Sequence, residues 1–251
     1  MHSGQHSEQV WSAIASLAPC CVDEFGKIRV GAKHDGGYVM LDDLGGIAKA
    51  ISLGIGDEDS WDIGIASRGI AVLQFDHTIK APPTANALCT FFPKRVVTNC
   101  ARTESEITFH EVVSNVAGDL ILKMDIEGDE WTILKDADSC TLSRFRQIIC
   151  EFHGLQRILD SQQRRLVQAT LTNIARTHAV VHLHGNNYLP LHPVESTGVP
   201  IVLEVTFARR NQYRLHASTE SFPSPLDSPN YPHRDDLPLA DFISRIVRLP
   251  I

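Results

Sequence analysis

The chain has no run of lysine or arginine anywhere in its 251 residues, and its formal net charge is −7. Nucleic-acid binding draws much of its affinity from neutralising phosphates, so no surface that tracks a phosphate polymer is expected. No apolar run approaches the ~18 residues that read as a membrane span, and none is expected to cross a bilayer. Met1 to Gln9 is polar and carries two histidines where a signal peptide would need an apolar segment. The six cysteines, Cys20, Cys21, Cys89, Cys100, Cys140 and Cys150, show neither the CxxC spacing of zinc sites nor the density of a disulfide scaffold. They read as reduced thiols, and the simplest location is the cytoplasm. Internal repeats are also lacking.

What is present is the composition of an ordinary globular protein, 43% hydrophobic and 21% charged. The first residues read as a helix over 7–17, with Val10, Ile14 and Leu17 at i, i+4 and i+7. Short apolar runs then recur at Ala50 to Leu53, Ile70 to Phe75, Leu120 to Met124, Gln147 to Phe152, Ala179 to Leu183 and Ile201 to Phe207. Between them lie helical patterns. Thr108 and Glu111 have capping-box spacing for a helix ending near Gly118, and Val167, Leu171 and Ile174 line one face of another. Five prolines between 222 and 238 mark a pinned loop before a last apolar stretch, Phe242 to Val247. Continuously apolar strands are buried on both faces, and intervening helices cover them, so a doubly wound α/β sheet is expected. Three segments follow: 1–48, an N-terminal helix and cap; 49–210, the ligand-binding core; and 211–251, a proline-rich extension packed on it.

In such sheets ligands bind beyond the carboxyl ends of the strands, which selects the residues to consider. After the first run come Gly54, Gly56, Asp57, Glu58 and Asp59, a turn that lets backbone approach a ligand, with Ser60 placed to cap the next helix. Its acids and the lack of a third glycine disfavour a pyrophosphate. The second run ends in Asp76 and His77, and Asp76 lies 76 − 54 = 22 residues after Gly54, where a carboxylate can accept from two ribose hydroxyls. The third ends in Asp125 and Glu127. Asp129 and Glu130 are read only as acids favoured by a helix dipole. The fourth ends in Glu151 and His153, on one side of an extended chain. Asp125, Glu151 and His153 could converge on a divalent cation such as Mg²⁺, or His153 could act alone as a general base. The fifth ends in His182, His184, Asn186 and Asn187, with His184 and Asn187 as candidates to face a substrate.

The stretch Leu122-Lys123-Met124-Asp125-Ile126-Glu127-Gly128-Asp129-Glu130-Trp131 resembles the signature of the FkbM-type methyltransferases, a branch of the class I S-adenosylmethionine (SAM)-dependent superfamily. Lys33 to Tyr38, the Gly54/Gly56 turn, Phe75 to Thr78 and His184 to Asn187 extend the resemblance over roughly residues 28–208. It implies a Rossmann-like, mostly parallel seven-stranded sheet with a final antiparallel strand. It also implies SAM as cofactor, with Asp35, Gly54, Gly56, Asp57, Asp76, His77, Asp125 and Glu127 around it. Ser52 departs from the acid that most class I enzymes carry there, and Glu58 replaces a glycine, so Asp35, Asp57 or Asp125 is expected to meet the methionine end. SAM is cationic and has no phosphate, which suits the acidic turn.

The implied reaction is methyl transfer to a hydroxyl oxygen of a sugar or small natural product, with His153 as first candidate base, His184 as second and Asp125 beside them. An Asn/Asp-Pro-Pro-aromatic motif, associated with N-methylation, is lacking after Asp125. The readings from other classes are an NAD-linked oxidoreductase and a non-catalytic SAM-binding or interaction domain. The acceptor and the oligomeric state are not encoded legibly.

Overall fold

The structure, a computed structural model, describes residues 2–98 and 103–248. Cys100 lies outside them. Seven strands form one sheet: β1 (Ile47–Leu53), β2 (Val72–Phe75), β3 (Cys89–Phe92), β4 (Asp119–Met124), β5 (Phe145–His153), β6 (His178–Gly185) and β7 (Val202–Arg209). Their order is β6-β7-β5-β4-β1-β2-β3. β1 pairs in parallel with β2 and β4, β4 with β5, and β2 with β3. β7 runs antiparallel to both of its neighbours, inserted between β5 and β6. The architecture is a mixed, Rossmann-like α/β sheet.

Each of the six apolar runs supplies a strand of the sheet, although Ile70, Ala71 and Ile201 precede theirs, because a strand crossing the sheet buries side chains above and below. Alternation divides them: Leu120, Leu122 and Met124 of β4 and Ile148, Cys150 and Phe152 of β5 join one core, whereas Ile121 and Ile149 join the other. Helices α1 (His2–Ser12), α3 (Phe109–Ser114), α4 (Glu130–Asp136), α5 (Ser139–Leu142) and α6 (Ser161–Ala175) cover the first face, together with a 3₁₀ turn at Ala15–Leu17 and the last helix, α7 (Ala240–Ile246). The second face departs from a fully helical cover. There α2 (Ser60–Ala66) is joined by a hairpin, Lys27–Val30 and Tyr38–Leu41. The capping box at Thr108 and Glu111 is formed, but α3 stops at Ser114, where the Asn115 amide donates to the Glu111 carbonyl and interrupts the helix. Val167, Leu171 and Ile174 are buried along α6, as their spacing predicts.

The proline-rich strap is tied to the sheet by side chains at the end of β6. His182 meets Asp227 at 2.8 Å and His184 meets Asp236 at 2.9 Å. The Asn187 amide donates to the carbonyls of Tyr231 and Arg234 and accepts from the Tyr231 N–H. Phe222, Leu239 and Phe242 are buried beside them. Among the described residues no helix is long and apolar enough to cross a membrane, and Cys20, Cys21, Cys89, Cys140 and Cys150 are free thiols.

Candidate functional site

A cleft of about 360 Å³ opens at the carboxyl ends of β1, β2 and β4, within the size range of small-ligand pockets. All eight residues expected around a cofactor, Asp35, Gly54, Gly56, Asp57, Asp76, His77, Asp125 and Glu127, lie in its wall. The wall also holds Glu58, Asp62 and Asp129, giving eight carboxyl groups against three cations, Lys94, Arg95 and Lys123.

The glycine turn is fixed from two sides. The Ile55 and Gly56 N–H groups donate to one oxygen of Asp76 at 2.8 Å each, and Thr78 donates twice to the other. Burial opposes the charge of Asp76, but these hydrogen bonds outweigh it and hold its carboxyl below the ordinary range. Asp76 therefore shapes the turn, whatever else it touches. Gly54 has φ +77°, and a Cβ there would lie 1.6 Å from the Asp125 carbonyl oxygen, whereas one at Gly56 would meet nothing within 4 Å. Lys123 closes the same corner, donating to the Gly54 carbonyl at 2.5 Å. Gly54→Ala combines a strained backbone with a backbone collision, each worth ~1–3 kcal/mol. A loss of ~2–5 kcal/mol in chemical denaturation is expected, with Gly56→Ala milder.

Ser60 does not cap α2. Its hydroxyl accepts from the Ala32 N–H and donates to the Gly36 carbonyl, joining the glycine turn to the loop that carries Asp35.

At one side of the cleft, the wall residues Asp125 and Glu127 and the neighbouring His153 present ligand atoms within 4.8 Å of one another. Glu127 reaches this position from a left-handed backbone, φ 58°. The expected third member, Glu151, is not among them. It lies buried deeper, accepting from Asn186 at 2.9 Å and sharing the Tyr38 hydroxyl, 3.2 Å away, with Asp125 at 3.3 Å. One phenolic proton cannot serve two carboxylates fully. Burial, then the charges of Asp125 and Glu204, push the Glu151 carboxyl well above the usual range.

Glu130, read from sequence as a mere dipole partner, is fully buried and orients His153. One of its oxygens accepts from the His153 N–H at 2.6 Å and lies 3.0 Å from His153 Nδ1, and the other accepts from Gly128 N at 2.7 Å. Nε2 of His153 is left facing Glu127 at 3.6 Å, Asp125 at 3.8 Å and, more deeply buried, Glu151 at 3.9 Å. Burial disfavours the imidazolium, but Glu130, Glu151 and Asp125 outweigh it and raise its pKa to about 9. The signal for Glu130 was present, since it is part of the sequence signature itself. Tyr38 and Asn186 lie in stretches that carry the resemblance, though nothing local pairs them with Glu151, and Asn230 had no local signal.

His184 is not a candidate base. It is buried with both ring nitrogens on carboxylates, Nδ1 at 3.0 Å from Glu204 and Nε2 at 2.9 Å from Asp236. Nor does Asn187 face a substrate, because its side chain holds the strap. Burial opposes protonation of His184, yet Glu204 and Asp236 push its pKa up to about 11. His178 behaves oppositely: burial lowers it to about 4 despite its bond to the Phe145 carbonyl. The ordinary value is ~6.5. Stability from His184 is therefore complete below about pH 6.5 and lost as pH rises toward 11. That from His178 is present above about pH 6.5 and lost as pH falls toward 4. Denaturant titrations across pH should show a maximum near neutrality, with limbs of up to ~1.4 kcal/mol per pH unit. A flat profile between pH 5 and 9 would contradict both assignments.

No protein-family model matches the chain, and no curated protein matches it. Among solved structures, one match is titled "Crystal Structure of EvdMO1", at 14% identity with a TM-score of 0.34. It covers 66% of this chain, which spans 37% of that one, little more than a third of its length. A likeness of that size carries nothing about function.

Proposed function

We propose that the chain is a SAM-dependent methyltransferase of the class I superfamily, acting on a hydroxyl oxygen. The observation that carries this reading is the cleft wall, with its excess of carboxylates around a glycine turn at the sheet's carboxyl edge. Such a wall favours a cationic ligand and repels a pyrophosphate. Gly54 leaves no room for a side chain and Gly56 keeps its side of the turn open, so backbone is exposed to a ligand there. The seven-stranded sheet, with its antiparallel strand last in the chain, is what the FkbM-type resemblance implies.

On this reading Asp76, Asp57 and His77 lie toward the ribose, and Asp35, Asp125 and Glu127 toward the charged end. When bound, the cofactor supplies a methyl group already attached to a good leaving group. What falls to the protein is alignment and removal of the acceptor's hydroxyl proton. His153 is suited to taking that proton, since Glu130 holds Nδ1 and thereby directs Nε2 toward Asp125 and Glu127. The same three side chains would also suit a divalent cation, which would acidify an acceptor hydroxyl in place of a base.

Calorimetry with SAM, S-adenosylhomocysteine and NAD tests the cofactor. SAM and its demethylated product should bind and NAD should not; tight NAD binding without SAM binding sinks the proposal in favour of an oxidoreductase. Methyl transfer to a panel of hydroxylated sugars and phenols, with and without a chelator, then separates base from metal. Activity untouched by chelation removes the cation, and SAM binding with no turnover on any acceptor supports a non-catalytic domain.

A further inference from the structure

We propose that Tyr188 and Tyr231 form the acceptor subsite, a stacking platform for an unphosphorylated sugar ring at the rim of the cleft. This rests on the methyltransferase reading and names its substrate class. Tyr188 lies in the connection from β6 to β7, Tyr231 in the proline-rich strap, and their rings meet at 5.5 Å with a 41° tilt. Both are held at the backbone. Asn187 accepts from the Tyr231 N–H at 2.7 Å and donates to its carbonyl at 3.0 Å, while Arg234 donates to the Tyr188 carbonyl at 2.7 Å. The Tyr188 residue nevertheless remains 47% exposed, and Leu189 beside it 45%. The Tyr231 ring is flanked by His233 at 5.3 Å and Arg234 at 5.2 Å, so the exposed Tyr188 ring, backed by Tyr231, is the face kept available for a ligand.

Its position ties it to the cleft. Asn230, the residue before Tyr231, donates to Asp35 at 3.3 Å, and Asp35 lies in the cleft wall. Partial burial raises the Tyr188 phenol pKa, and the neighbouring charges of Asp35 and Asp57 raise it further. The rim therefore offers an aromatic face together with carboxylate acceptors. A matching ligand needs a C–H face to lie on the ring and several O–H donors for the acids. A phosphorylated acceptor would be repelled by those acids. A cationic one would find the Arg234 guanidinium already over the Tyr231 ring at 5.2 Å. An uncharged glycoside satisfies each condition.

Saturation-transfer NMR with methyl α-D-glucopyranoside, methyl α-D-mannopyranoside and methyl α-L-rhamnopyranoside, with and without S-adenosylhomocysteine, tests this. At least one glycoside should receive saturation at its ring C–H protons. Tyr188→Ala should weaken that binding about tenfold, Tyr188→Phe should retain it, and S-adenosylhomocysteine affinity should stay within about twofold. Melting temperatures should not move, because Tyr188 contributes little buried surface. Binding of no glycoside, equal binding by Tyr188→Ala, or stronger binding of glucose 6-phosphate overturns the platform. Failure of S-adenosylhomocysteine to bind would instead overturn the methyltransferase reading, while the glycoside measurement without it still reports on the platform.

Discussion

On the proposed methyltransferase reading, His153→Gln is expected to lower the rate constant for methyl transfer by roughly 10²–10⁴-fold, the usual contribution of a general base. Cofactor affinity should change by less than about twofold, because His153 lies outside the wall of the cleft. On that reading the buried Glu130 prepares the base. Its carboxylate fixes the ring through Nδ1, so that the lone pair of the neutral tautomer sits on Nε2, beside Asp125 and Glu127. The neutral imidazole is the reactive form. With a pKa near 9, activity of the free enzyme should rise with pH through the neutral range. Glu130→Gln removes a negative charge next to the ring and should move that limb to lower pH. A purely structural Glu130 would lower activity without shifting the profile. Equal turnover by His153→Gln and the parent protein, with cofactor binding intact, would remove His153 from the chemistry.

The largest effect on stability is expected at His184, which has no part in that chemistry. His184→Ala leaves Glu204 and Asp236 facing each other across the vacated space, with the Asn230 amide and the Leu237 N–H, among the described residues, still bonded to them. Removing one partner from a buried ion pair costs ~3–5 kcal/mol. For a chain of this length that corresponds to a fall of about 10 °C in melting temperature. The loss arises from uncompensated charge rather than from lost packing, and a further substitution can distinguish the two. Glu204→Gln with Asp236→Asn, added to His184→Ala, should recover a large share of the stability, because amides are far less costly to bury than lone carboxylates. If the triple variant is no more stable than His184→Ala, lost packing dominates and the uncompensated charges do not.

Much of this protein was legible in one dimension. Six of the seven sheet strands could be read, because a strand buried on both faces must be apolar along its whole length. Cys89–Phe92, the edge strand, escaped, since its four residues are only partly buried or exposed and make no continuous apolar run. The hairpin over the second face escaped for a similar reason: Lys27 and Arg29 alternate with apolar neighbours in a segment too short to declare itself. Positions around the cleft were also legible, because sheet topology sends strand ends to one edge and the glycine turn marks which edge.

Roles were a different matter. Sequence spacing places Glu151 and His153 on one side of β5, yet it cannot say that Tyr38 and Asn186 engage Glu151, or that Glu127 comes even nearer to His153. Nor can it say that Glu130 is buried while Asp129, one residue earlier, pairs with Arg95 at the surface. His153 and His184 look alike in the chain, each directly before a glycine near a strand end. They part only when the sheet sets Glu204 beside His184 and the strap brings Asp236 to its other nitrogen. The sequence by itself determined six of the seven strands, much of their helical cover and the edge where the cleft opens, because these follow from local apolar patterning. Only the tertiary structure decided which acids are free, which are locked and which histidine keeps an open nitrogen, because a group's charge and reach depend on partners far away in the chain.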